Sequence, residues 1–179
     1  MSHIPRLVVT GPECTGKTTL VQALAAHYGV AHSGEFVRAY AEQLGAPIGA
    51  PDHWPIAHGQ IALEEAAMAE ARGAGHSLVL LDTDLLSTVV YAREYVGHCD
   101  RGIEQLARTR LADHYLLLDI DVPWVADGVR DQAARREVLH HRFRGALEEF
   151  GAPFTLVRGS WDERLAGATA VADRLLHLF

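Results

Sequence analysis

With 179 residues, 49% of them hydrophobic and 22% charged, the chain has the composition of a soluble globular protein. Its length suits one domain with a sizeable core and would cramp two. A formal net charge of −7 argues against general nucleic-acid or anionic-membrane binding, so any anionic ligand must be held by a local site. No apolar run approaches ~18 residues, and the opening MSHIPRLVVTG has no signal-peptide layout. Cys14 and Cys99 are far apart in sequence. The expectation is a cytoplasmic protein with reduced thiols, no membrane partner and no nucleic-acid partner.

Residues 6–10, RLVVT, form a short apolar run between Pro5 and Gly11 and predict a buried strand. Residues 17–28 carry Leu20, Val21, Leu24, Ala25 and Tyr28 at helical spacing and stop before Gly29. Between the two lies GPECTGKT, residues 11–18, which satisfies G-x-x-x-x-G-K-[ST] in its required strand-to-helix setting. Successive N–H groups of such a loop form an anion nest, reinforced by the positive end of the following helix. Residues 13–19 (Glu13, Cys14, Thr15, Gly16, Lys17, Thr18 and Thr19) are therefore the predicted nucleotide contacts, with Lys17 on the β- and γ-phosphates and the Thr18 hydroxyl on Mg²⁺. Lys17 is the chain's only lysine among 16 basic residues. A compact, mobile point charge is wanted there, and a guanidinium does not replace it.

Residues 30–33 predict a short strand and 35–44 a helix, followed by the Gly/Pro-rich loop GAPIGAPDHWP (45–55), long enough to fold over a site. An Ala/Glu-rich helix runs to about residue 72. HSLVLLD (76–82) predicts a second clear strand, and helices are expected over 84–96 and 101–111. HYLLLDI (114–120) and PFTLVRG (153–159) complete the strands, and an amphipathic helix ends the chain. Continuous apolar strands separated by helices define an α/β fold with a parallel sheet of about five strands covered on both faces, the P-loop NTPase fold. Residues 1–179 are read as one such domain.

Asp82 ends an apolar strand in the manner of a Walker B aspartate and takes the Mg²⁺ role with Thr18. For Asp84, a helix cap and a substrate contact both stand. Glu35, after the second strand, reads either as the carboxylate that accepts a hydroxyl proton or as a first-turn glutamate paired with Arg38 three residues on. DGVRDQAARR (127–136) reads as a lid over about 127–137 whose Arg130, Arg135 and Arg136 close on the phosphates, or as a solvated helix face continuing into EVLHHRFR; Arg130, next to Gly128, is the preferred arginine. Trp54 reads as a stacking wall or as a plug over a core edge. Trp124 is expected to anchor the lid and Trp161 to pack the last helix, with the loop near Arg158–Trp161 a positional candidate for adenine. The histidines show no metal-ligand spacing.

A GTPase of the Asn-Lys-x-Asp type is excluded, because the chain has no asparagine and no second lysine. An AAA-type motor usually needs a second helical domain. A small-molecule kinase fits the size and the acceptor-side residues.

GPECTGKTTL, GEFVRAY, HWPIAHGQ, LLDTDLLSTVVY and VPWVADGVR together resemble the ribosylnicotinamide kinase domain of the NadR family, in the same order and with similar spacing. The resemblance implies ATP- and Mg²⁺-dependent phosphorylation of the 5′-hydroxyl of nicotinamide riboside. It places Lys17 and Thr18 on the phosphates and metal, and Asp82 on the metal or the attacking hydroxyl. Glu35 and Arg38 fall on the acceptor side, and Asp127 and Arg130 in the lid. This chain departs from the family at Gly34, where an aromatic residue is usual, and at Trp54, where tyrosine is usual. With the P-loop at residue 11, the further expectation is a stand-alone kinase without an adenylyltransferase or DNA-binding domain. The alternatives are a kinase of another nucleoside or vitamin-like alcohol, and an ATP-binding regulatory module. Oligomeric state is left open, a homo-oligomer included.

Overall fold

A computed structural model describes residues 3–121 and 133–179. Strands β1 (Arg6–Thr10), β2 (His32–Ser33), β3 (Val79–Asp82), β4 (His114–Leu118) and β5 (Phe154–Val157) form one parallel sheet in the order β2-β3-β1-β4-β5. Seven helices among the described residues connect them: α1 (Lys17–Tyr28), α2 (Phe36–Leu44), α3 (His53–Ala74), α4 (Leu85–Tyr95), α5 (Arg101–Thr109), α6 (Ala133–Phe150) and α7 (Trp161–Leu176).

Alternation within the strands divides the core. Leu7, Val9, Leu80 and Leu116 pack with Leu20 and Leu24 of α1 and Val171 of α7. Val8, Val79, Leu81 and Leu117 face the other way, onto Leu86 and Val89 of α4 and Phe143 of α6. Both faces are covered, which is why the strands read as unbroken apolar runs. The central strand β1 is flanked by β3 and β4, with Val9 level with Asp82. This register sets the P-loop and the acidic end of β3 side by side at the carboxyl edge of the sheet, where ligands of open α/β sheets bind.

Boundaries differ in instructive ways. The third strand opens at Val79, three residues later than predicted, because His76 is turned to accept the Ala31 N–H on its Nδ1 (2.9 Å). The loop expected over 45–55 folds further than predicted. Ala50–Asp52 make a 3₁₀ turn and α3 begins at His53, so Trp54 and Pro55 sit in its first turn, where proline's missing N–H costs nothing. Asp52 holds this entry by accepting from Gly49 N–H and from the Tyr40 hydroxyl, each at 2.8 Å. Helix α2 contains no buried residue. Among the described residues no helix is long and apolar enough to cross a membrane.

Candidate functional site

The P-loop is shaped by backbone angles that few residues accept. Gly11 has φ 135°, and a Cβ there would lie 3.1 Å from the Leu118 carbonyl oxygen, so both angle and space require glycine. Cys14 adopts a left-handed φ of 54° despite its side chain, a strained position of the kind that marks functional turns. Thr15 Oγ1 donates to the Pro12 carbonyl (2.9 Å). The buried Lys17 folds back on its own loop, donating from Nζ to the carbonyls of Gly11 (3.1 Å) and Pro12 (2.9 Å). Thr19 is exposed on the outer side of the first turn of α1.

Thr18, in the first turn of α1, meets Asp82 at the end of β3: the hydroxyl donates to Asp82 Oδ2 at 2.6 Å. Asp82 is 1% exposed, and its Oδ1 is buried without a partner. Burial raises its pKa first. The Thr18 hydrogen bond opposes that shift, nearby Glu35 adds to it, and Lys17 and Arg38 lower it. Glu35 precedes α2 but its carboxylate makes no cap bond; it pairs with Arg38 at 3.4 Å. Asp84 does cap α4, accepting from Leu86 N–H (3.0 Å), while its second oxygen accepts from the Tyr115 hydroxyl (2.5 Å). Of the two readings left open for Asp84 the cap is therefore present, and the residue also borders the cavity.

That cavity, of about 610 Å³, is walled by Glu13 of the P-loop, Glu35 and Arg38 of the β2–α2 junction, Pro47 and Ile48, and Ile56 and Gln60 of α3. The opposite wall is the polar stripe Asp84, Ser87, Thr88, Tyr91 and Tyr95 of α4, with Arg135 and Arg136 at the mouth. Arg135 and Arg136 stand in the first turn of α6, so this part of the expected lid is helix. The Arg135 guanidinium lies 5.3 Å above the Tyr95 ring, and Arg136 donates to the Cys14 carbonyl at 3.5 Å. Trp124, Asp127 and Arg130 lie outside the described residues.

Trp54 corrects the stacking reading. Its indole lies over α5, where a Cβ on Gly102 would come within 2.8 Å of it, and beside the His58 ring at 5.2 Å. It packs against the core as a plug and does not line the cavity. Trp161 departs from expectation in the opposite sense. It is 41% exposed, and its ring comes to 4.0 Å from a Cβ placed on Gly16, next to the phosphate loop.

Two buried groups escaped the sequence reading. Arg164, 2% exposed, donates to the carbonyls of Thr15, Gly159 and Asp119, each at 3.0 Å, and pairs with Asp121. It pins the P-loop to the loops after β4 and β5. The only signal was one arginine at the start of an otherwise apolar helix face.

The second is Glu64 of α3, 2% exposed, with Arg110 at 3.5 Å from Oε2 and no partner for the buried Oε1. Burial, then Asp84, pushes its pKa from the ordinary 4.5 to about 7, against Arg110 and Arg6. The folded chain thus holds this proton more tightly than the unfolded one. The associated stability is present below about pH 4.5 and is lost as pH rises through about 7. Glu64→Gln is expected to melt at higher temperature than the parent at pH 8, by up to about 3 kcal/mol of stability. The gap should close near pH 5; calorimetry at the two pH values checks it.

A strand, a phosphate-cradling turn with one lysine, a helix and an aspartate on the adjacent strand define the P-loop nucleotide-binding class. The chain matches the AAA domain family over residues 6–164 and belongs to that family. It is 29% identical over 157 residues, 84% of its length, to the trifunctional NAD biosynthesis/regulator protein NadR of Escherichia coli (strain K12). It is 30% identical over 158 residues, 85% of its length, to NadR of Salmonella typhimurium. The chain spans only 37% and 38% of these relatives. A solved crystal structure of NadR protein in complex with NR superposes with a TM-score of 0.74 at 25% identity, covering 94% of this chain and 51% of that one. The NadR-like character read from the motifs therefore extends over most of the chain.

Proposed function

We propose that this chain is a Mg²⁺- and ATP-dependent kinase that phosphorylates the 5′-hydroxyl of nicotinamide riboside, acting as a single P-loop domain. The observation that carries this reading is that the P-loop and the Glu35–Arg38 pair border one cavity large enough for a nucleoside. Two carboxylates on its walls, Glu13 and Glu35, suit a cationic pyridinium base. The NR-bound NadR structure supports the same acceptor.

On this reading the triphosphate enters the P-loop nest and its oxygens replace the two carbonyls that hold Lys17, whose ammonium then sits on the β- and γ-phosphates. Thr18 Oγ1 and the unpartnered Asp82 Oδ1 are hard oxygen donors that fit Mg²⁺, with phosphate oxygens and water completing the shell. When bound there, the ion neutralises charge on the phosphate oxygens. Glu35 accepts the proton of the acceptor hydroxyl as its oxygen bonds to the γ-phosphorus. The bond from that phosphorus to the β–γ bridging oxygen breaks, and ADP leaves. Arg135 and Arg136 stand where they meet charge on the transferring group. The adenine is assigned to the loop beside Trp161 and Gly16.

One observation favours a different acceptor of the same general kind. Residue 34 is glycine and Trp54 faces away, so among the described residues the rings on the cavity wall are His53 and the tyrosines Tyr91 and Tyr95, the latter two mutually stacked at 6.0 Å. A stacking partner contributes about 0.5–1.5 kcal/mol beyond burial, enough to move substrate preference. ADP release measured with Mg-ATP and a panel of ribosides tests both readings. Strong stimulation by nicotinamide riboside is the expected result. Stimulation by another compound alone moves the acceptor, and equal turnover without any acceptor favours a regulatory ATPase.

A further inference from the structure

Gln60 lies on α3, 3% exposed, in the cavity wall. Both ends of its amide are engaged. Oε1 accepts from the Phe36 N–H at 3.0 Å, and Nε2 donates to the carbonyls of Gly34 (3.5 Å) and Thr83 (3.4 Å). Gly34 and Phe36 are the two neighbours of Glu35, while Thr83 separates Asp82 from Asp84. One side chain therefore ties the backbone on both sides of Glu35 to the backbone that follows Asp82.

Among the described residues the other holds near that junction are few: β2 is two residues long, α2 buries none of its side chains, and the Tyr40–Asp52 hydrogen bond lies a turn further along α2. The close approach is made by Gly59, where a Cβ would lie 2.3 Å from the Phe36 ring. Only an amide accepts from one N–H and donates to two carbonyls at once. A glutamate would set its oxygen against those carbonyls, and asparagine is one methylene short. Thr83 also holds φ 65°, a costly angle for a β-branched residue, and its carbonyl is one of the groups so fastened.

We propose that Gln60 is a positioning residue for phosphoryl transfer, its amide setting the Glu35 carboxylate relative to Asp82. The inference rests on the function proposed above, and it acts on transfer through Glu35, not on nucleotide binding. Gln60→Met fills a similar volume and removes all three hydrogen bonds. With nicotinamide riboside as acceptor it is expected to lower kcat by about 10²-fold, the effect of a misplacement near 1 Å. The ATP Kd, read by direct titration, should stay within about twofold, and Gln60→Met added to Glu35→Gln should cost less than about twofold more. If Gln60→Met does not give folded protein by circular dichroism, Gln60→Glu, which keeps an oxygen for the Phe36 N–H, carries the same comparison.

Unchanged kcat, a parallel loss of ATP affinity, or independent losses in the double variant would overturn the inference alone, provided that Glu35→Gln itself impairs transfer. A parent protein with no acceptor-dependent ADP release, or a fully active Glu35→Gln, overturns the proposed function and this inference with it.

Discussion

Lys17→Ala is expected to lower acceptor-dependent ADP formation by about 10²–10³-fold, the loss typical of removing one preorganised group from a developing negative charge. The reason is local and electrostatic. The chain offers no second lysine, and the P-loop nest is otherwise made of neutral amides. The fold should survive, because among the described residues Lys17 bonds to the carbonyls of Gly11 and Pro12, both in its own loop. Leaving those two groups short of partners costs about 1–3 kcal/mol. Circular dichroism at room temperature should therefore match the parent, with the melting temperature somewhat reduced. Lys17→Arg should not restore turnover, since a planar guanidinium is a poor substitute for a compact ammonium between two backbone carbonyls. Steady-state ADP release for the three proteins checks this, and a Lys17→Ala enzyme within about tenfold of the parent would contradict the placement of the phosphates.

Asp82→Asn should separate activity from stability in the opposite direction. The asparagine oxygen still accepts from Thr18, so the link between α1 and β3 is preserved. What disappears is a carboxylate that burial already disfavours in its charged form. A folded-state pKa raised in this way means that stability declines as pH rises through the raised value, and the amide removes that decline. The variant should therefore melt no lower than the parent at neutral pH, and higher where the parent's carboxylate is ionised. Its Mg²⁺-dependent turnover should fall by about 10²-fold, since one hard oxygen donor loses its charge. Thermal melts paired with a magnesium titration of the rate provide the test. A large fall in melting temperature with intact metal dependence would make Asp82 a structural residue.

Much of the fold was legible in the sequence because both sheet faces are buried. Runs such as LVV and LVLL cannot be exposed, and the helices between them carry clear caps, as Gly29 after α1. The P-loop was legible for a different reason: its chemistry is backbone chemistry, so glycine spacing encodes it directly. The acceptor side was harder to read. Of the two readings of Trp54 the plug is the one found, because a helix starts at His53 inside what reads as a Gly/Pro loop and places the ring against Gly102. Arg164 and Gln60 were missed because, the Asp121 carboxylate of Arg164 apart, their partners are backbone groups contributed by residues of any type, which leave no signature in a sequence. Asp84 carried two readings; the cap is found, its second oxygen is taken by the Tyr115 hydroxyl, and the residue also borders the cavity.

The short edge strand that leads to Glu35 has a consequence for how the molecule breathes. The P-loop half rests on the most interior strand, while the Glu35 half is held by two residues of ladder, the Gln60 amide and, further along α2, the Tyr40–Asp52 hydrogen bond. Local opening of that half should occur at far lower free energy than global unfolding. Amides of α2 should exchange with deuterium well ahead of those in β1 and β3, and should slow once an acceptor fills the cleft. On the proposed function the protein is in effect a fixed anvil with a loosely hung hammer, and selection among acceptors would fall to the hammer.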